Sequence, residues 1–382
     1  MTDPFETPER RALRATVRRF VDREVRPHLD EWERDGEVPR SAHAAAAKAG
    51  LLGLTFPTEV GGQGGDLLDL VVLVEEMLYA GASGGVLAAL FTGGIALPHI
   101  VSAGTPEQVD LWVRPSLAGE KVCSLAVTEP DGGSDVAALR TTARRDGEQY
   151  VVDGAKTFIT SGARADFVTV AVRTGGPGHG GVSLLVVERG TPGFTVSRRL
   201  EKMGWHCSDT AELAFTDCRV PAGNLVGAEG AGFALLAQHF VTERIMLAAQ
   251  AYATAARCLD LTVGWCRLRE TFGRPLISRQ VVRHALTEMA RRTDVARTYV
   301  RHVAARLNAG EDAIAEVCFA KNTAVEACAW VVDQAVQLHG GLGFMREAEV
   351  ERHYRDARVL GIGGGASEVL TDLAARRLGY VA

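Results

Sequence analysis

The sequence predicts an α+β chain of three domains. A helical N-terminal domain is expected over residues 1–120, an all-β barrel or sandwich over 121–232, and a C-terminal four-helix bundle over 233–382. Three observations carry this expectation. The chain has 382 residues, more than one compact domain usually needs. Near Glu120, long stretches of helical apolar spacing give way to short β-branched runs punctuated by glycine. After Phe233 the chain returns to long stretches rich in alanine and leucine, strong helix formers.

In the first domain Thr7 is placed to cap a helix, and residues 11–25 repeat apolar side chains at helical spacing until Pro27 interrupts them. Residues 42–52 are alanine-rich and stop at Gly53, and 57–65 read as a glycine-rich loop. Residues 67–80 form a strongly apolar helix that carries Glu75 and Glu76. This acid pair is expected to be a salt-bridged or solvated helix face, with catalysis as the alternative. Residues 84–97 are small and apolar, suited to close helix packing, and Thr105-Pro106 reads as a helix start with proline at the first position.

The middle domain predicts strands at 150–152, 157–160, 167–172, 182–187 and 212–215, ending near Val220-Pro221. Asp153-Gly154, residues 175–181 and residues 190–193 supply turns. Two segments here can carry chemistry. The Gly132-Gly133-Ser134 turn offers backbone N–H groups and a hydroxyl as an anion site would, or is a plain β-turn. In residues 156–162, Phe158 can stack on a flat ring while Thr160 offers a hydroxyl to its edge; a plain apolar strand is the alternative.

The last domain predicts helices over 233–267, 278–307 and 312–338, and a fourth beginning near Ser367. From 230 to 255 the only charged side chains are Glu243 and Arg244, in a helix apolar on nearly every face. Adjacent helix positions point about 100° apart, so the two do not face each other. Glu243 is either a structural acid paired with another helix or a general base whose pKa an apolar wall raises. Arginines flank Phe272 and Gly273 in residues 267–276, as a phosphate-bearing ligand or a solvated loop would use them. His339, beside glycines at a helix end, is expected to pack or cap.

Composition excludes other classes. A net charge of −5 gives no nucleic-acid surface, and the Arg10-Arg11 and Arg18-Arg19 pairs fit the solvated face of an amphipathic helix. Seven scattered cysteines form no Cys-x-x-Cys pair, so neither a metal site nor a disulfide framework is indicated, and a cytoplasmic location is expected. No signal-like apolar core opens the chain, and no apolar run approaches the ~20 residues that span a bilayer.

Four ordered motifs, TEPDGGSD at 128–135, RETFGRPL at 269–276 followed by Gln280, QLHGGLGF at 337–344 and RDARVLGIGGGASE at 355–368, together resemble the acyl-CoA dehydrogenase family, flavoenzymes that desaturate acyl thioesters. The resemblance covers nearly the whole chain and implies that family's fold and FAD. Thr128 would bond the flavin ring, and Ser134 its diphosphate or the substrate. Phe158 and Thr160 would flank the isoalloxazine. Arg269, Phe272, Gln280, Gln337, Gly341 and Glu368 would bind the rest of the cofactor. Several of these would come from a neighbouring subunit, which implies a homotetramer built as a dimer of dimers. Arg244 would lie beside the substrate.

One departure bears on the chemistry. Much of the family places its catalytic glutamate where this chain has Gly364. The isovaleryl and long-chain branches instead place it on the first bundle helix before an arginine, and Glu243-Arg244 is similar to that arrangement. Phe272 follows Glu243 by 29 residues and Gly364 follows Gln337 by 27, the spacings the resemblance implies. Glu243 is therefore the expected base, with the Gly364 N–H polarising the thioester carbonyl. Phe158 stands for a commoner tryptophan, Ala366 for a threonine, and Val241 for an acid that contacts pantetheine in some members. The implied reaction is α,β-desaturation of an acyl-CoA, with an electron-transfer flavoprotein as acceptor. The alternatives are the same chemistry on an acyl-carrier protein, an oxygen-using flavoenzyme, or a non-catalytic relative.

Overall fold

The computed structural model describes residues 3–380. The N-terminal region is helical, with α1 (Pro8–Phe20), α2 (Arg40–Lys48), α3 (Leu67–Tyr79) and α4 (Gly84–Leu90) joined by shorter turns. Thr7 caps α1 by accepting the Arg10 N–H, and Asp66 starts α3 in a reciprocal capping box with Asp69. Glu75 and Glu76 are structural. Glu75 is wholly buried and accepts from Arg14, Arg301 and the Tyr252 hydroxyl, while Glu76 pairs with Arg14 and Arg18.

The middle region is one eight-stranded sheet of β1 (Cys123–Ala126), β2 (Thr142–Asp146), β3 (Gln149–Thr160), β4 (Phe167–Arg173), β5 (Val182–Glu188), β6 (Phe194–Arg199), β7 (Thr210–Pro221) and β8 (Leu225–Val226). Its order is β6-β7-β3-β2-β4-β5-β8, with β1 parallel to β4. Both faces of β4 and β5 are buried. One face packs within the sheet's own core, and the other against Ile100, Trp112 and Leu117 of the helical region. Two-sided burial accounts for their unbroken apolar runs.

The strands expected at 150–152 and 157–160 are one strand, β3. Asp153-Gly154 is not a turn but a bulge, with Gly154 at φ +147°. A Cβ on Gly154 would lie 2.6–2.8 Å from Thr141, so the close approach of that segment requires glycine. Strands β2 and β6 went unforeseen because they are short and charged, carrying Arg144-Arg145 and Arg198-Arg199.

The C-terminal region holds α5 (Gly232–Leu268), α6 (Gln280–Asn308), α7 (Ile314–His339), α8 (Glu349–Ala357) and α9 (Ser367–Arg377). The fourth helix expected from Ser367 is α9, which packs Leu370 and Ala374 against Ala315 and Cys318 of α7. The N-terminal α3 packs directly on α5 and α6, and one apolar core runs from Phe5 to Leu360. Helices from both ends of the sequence therefore share a single interior. Among the described residues no single helix is long and apolar enough to cross a membrane.

Candidate active site

Glu243 lies about three turns into α5. Its carboxylate forms no ion pair within 4 Å and no hydrogen bond to any described residue, and part of its surface is open. Burial pushes this carboxyl above the ordinary glutamate value, and the charges of Arg244 and Lys321 only partly oppose it.

Facing it is the loop Gly363-Gly364-Gly365, just before α9. Gly364 and Gly365 have φ of +64° and +94°, values open to glycine and costly for other residues. A Cβ on Gly364 would lie 3.6 Å from Glu243 Oε1 and would clash with Leu247 Cδ1. Position 364 thus has no room for a side chain while Leu247 keeps its place, and the carboxylate that faces it comes from α5.

The loop is anchored through its carbonyls. Lys321 Nζ, on α7, donates to Gly363 O at 2.5 Å and Gly365 O at 2.6 Å, and Arg244 Nε donates to Gly364 O at 3.3 Å. Lys321 is wholly buried, and desolvation lowers its pKa to about 8 although the charge of Glu243 works the other way. Arg244 also lies 5.8 Å over the Phe240 ring, and burial lowers its pKa.

The expected ring-binding residues lie on the rim of the sheet. Phe158 sits at a second irregularity of β3 with φ +59°, a conformation a bulky residue rarely adopts, and its ring is 67% exposed. The Thr128 carbonyl accepts the Thr157 N–H, which sets Thr128 beside Phe158. The Thr160 carbonyl accepts the Ser124 hydroxyl, and the next residue, Ser161, bonds Thr92 of the helical region at 3.0 Å. Ser134 is exposed at the end of the glycine turn. That turn is braced by Glu129, which bonds the Arg140 and Thr141 N–H groups and pairs with buried Lys156 at 2.8 Å.

Arg269, Phe272, Gln280, Gln337 and Gly341 are all exposed and gather where α5 ends, α6 begins and α7 ends. Phe272 and Gly273, with φ of +50° and +73°, form the two-residue turn of a small hairpin, Glu270–Thr271 with Arg274–Pro275, and Phe272 is 97% exposed. His339 stacks on Trp265 at this end. This end lies about 37 Å along α5 from Glu243, at 1.5 Å per residue. The structure therefore does not bring these residues to Glu243 of their own chain. Glu368 is instead exposed in the first turn of α9, at the Glu243 end.

Sequence reasoning missed Lys321 and Leu247. Lys321 carried a weaker form of the signal that drew attention to Glu243, a charge in an alanine- and valine-rich helix that also bears Glu316, Glu326 and Asp333. Leu247 carried none, since its contact with the loop is made across the fold.

Three domain families match in order: "Acyl-CoA dehydrogenase, N-terminal domain" over residues 7–120, the middle domain over 124–218 and the C-terminal domain over 230–379. The chain is 38% identical over 375 residues to the mitochondrial long-chain specific acyl-CoA dehydrogenase of Mus musculus, covering 96% of this chain and 85% of that one. The crystal structure of a putative acyl-CoA dehydrogenase from Mycobacterium smegmatis is 64% identical, with a TM-score of 0.98 over 99% of this chain and all of that one. A glutaryl-CoA dehydrogenase from the same organism, solved with FADH2, is 26% identical, with a TM-score of 0.92 over 100% of this chain and 97% of that one.

Proposed function

Because the chain belongs to the acyl-CoA dehydrogenase family of FAD-dependent oxidoreductases, we propose that it converts a saturated acyl-CoA to the trans-2-enoyl thioester with Glu243 as the base. One observation carries the assignment: a buried carboxyl with no partner among the described residues faces the glycine loop at 364. A carboxyl raised by burial is a stronger base once ionised than one on the surface.

The residues fit FAD. Phe158 presents an exposed ring, Thr128 and Thr160 stand on the same rim, and the exposed arginine-bearing hairpin suits a diphosphate. When bound, FAD would supply the two-electron acceptor for the β-hydrogen. Glu243 removes the α-proton, Arg244 borders the substrate, and the Gly364 N–H donates to the thioester oxygen, where negative charge develops. One such donor contributes about 2.7–4 kcal/mol in other acyl systems. Ser134 binds the diphosphate or the substrate. Arg269, Phe272, Gln280, Gln337 and Gly341 serve the cofactor of a neighbouring subunit in a homotetramer, since 37 Å of helix is too far for one dinucleotide to reach from its own chain's base. Glu368 lies at the other end and would act on the cofactor beside Glu243. An electron-transfer flavoprotein would be the partner that accepts the electrons.

Glu243→Gln tests the base. The variant should bind FAD and acyl-CoA yet fail to bleach the flavin when substrate is added; normal bleaching refutes the assignment. In the wild type, flavin reduction should fall off in acid with a midpoint above 4.5, the ordinary glutamate value, because the base must be ionised. A panel of acyl-CoAs run beside acyl-carrier-protein thioesters identifies the acyl group and its carrier.

A further inference from the structure

The reaction above leaves a buried charge beside the glycine loop unused. Lys321 has no carboxylate of a described residue within 4 Å, and its wholly buried Nζ is bonded to Gly363 O and Gly365 O, the carbonyls on either side of Gly364. An ammonium is costly to bury, whereas a methionine would fill similar space without that cost. The lysine is thus explained by its two hydrogen bonds better than by its packing.

A trans peptide is planar, so the C=O of residue 363 and the N–H of residue 364 point in opposite directions. Holding the Gly363 carbonyl against Lys321 turns the Gly364 N–H away from α7. That N–H donates to no acceptor among the described residues. Without an anchor, three consecutive glycines would sample many orientations of this peptide. Lys321 holds the two outer carbonyls and Arg244 holds the carbonyl of Gly364 itself, at 3.3 Å.

We infer that Lys321 is a positioning residue: by pinning the Gly363 and Gly365 carbonyls it preorganises the Gly364 N–H as the hydrogen-bond donor to the thioester oxygen, opposite Glu243. The inference rests on the proposed desaturation, and the test separates the two. Acetoacetyl-CoA is the probe. Its α-C–H bond breaks, the proton leaves to Glu243, and the electron pair moves onto the oxygen of the enolate. That enolate is seen as a long-wavelength charge-transfer band with the flavin, so the apparent pKa of the bound probe reports how well the oxygen is stabilised.

Lys321→Met should keep its FAD and bind the probe, but raise the probe's apparent pKa by about one unit or more, a tenfold weaker stabilisation. With substrate, flavin reduction should slow about 10- to 100-fold, short of the 10²–10³ lost when a donor is removed outright, and KM should change little. Lys321→Gln, which keeps an N–H donor on a shorter arm, should fall between, and it carries the test if Lys321→Met does not retain FAD. A probe pKa equal to wild type in either variant overturns the role of Lys321. A wild-type protein that binds FAD and probe but never ionises the probe overturns the proposed function instead.

Discussion

Gly364→Ala is the most direct test of how Glu243 and the glycine loop are fitted together. The added Cβ meets two obstacles. At φ +64° it faces the left-handed penalty of a non-glycine residue, roughly 1–2 kcal/mol. It also runs into Leu247 Cδ1, and overpacking of this kind costs about 1–3 kcal/mol. The loop cannot easily slide away, since Lys321 and Arg244 hold three successive carbonyls. The expected total is therefore about 2–5 kcal/mol, appearing partly as lost stability and partly as displacement of the Gly364 N–H. Chemical denaturation measures the first share and stopped-flow flavin reduction the second. Leu247→Ala separates the two obstacles, because it removes the clash and leaves the dihedral penalty. The double variant should then be less damaged than the sum of the single ones by about 1–3 kcal/mol, the clash share. Strict additivity, or a Gly364→Ala enzyme with wild-type stability and reduction rate, would show that the loop does not fit against α5 in this way.

Two further expectations concern sites remote from the loop. Glu75→Gln should destabilise by about 1.5–3 kcal/mol, because it removes the buried acid that accepts charged hydrogen bonds from the part-buried Arg14 and Arg301. Burial alone would raise the Glu75 pKa, but the hydrogen bonds and charge of Arg301 hold it below 4.5. Its contribution is thus complete above pH 4.5 and lost as the pH falls through the folded value, so the gap between variant and wild type in denaturation midpoint should close in acid; a gap unchanged down to the acid transition refutes this. Arg269→Ala should weaken FAD binding by about tenfold or more, the loss of one charged hydrogen bond. Wild-type FAD retention should fall on dilution as subunits separate. A protein that dissociates to monomers with its flavin still bound would refute a cofactor site shared between chains.

Much of this protein was open to sequence reasoning, and the limit follows from the range of the interactions. Helix periodicity, the cap at Thr7, and the apolar runs of β4 and β5 are local properties, set by backbone sterics and burial over a few residues. Glu243 stood out for the same reason, as an acid in a segment that had to be buried. Asp153-Gly154 misled because its local chemistry suits a turn, while the bulge it forms depends on how closely Thr141 approaches. Only the tertiary structure brought residues 243, 247, 321 and 364 together, bonded Lys321 to the carbonyls on either side of Gly364, and carried Arg269 and Phe272 away from Glu243 of their own chain. Those outcomes depend on which helices share the core, a long-range choice that spacing along the chain does not encode.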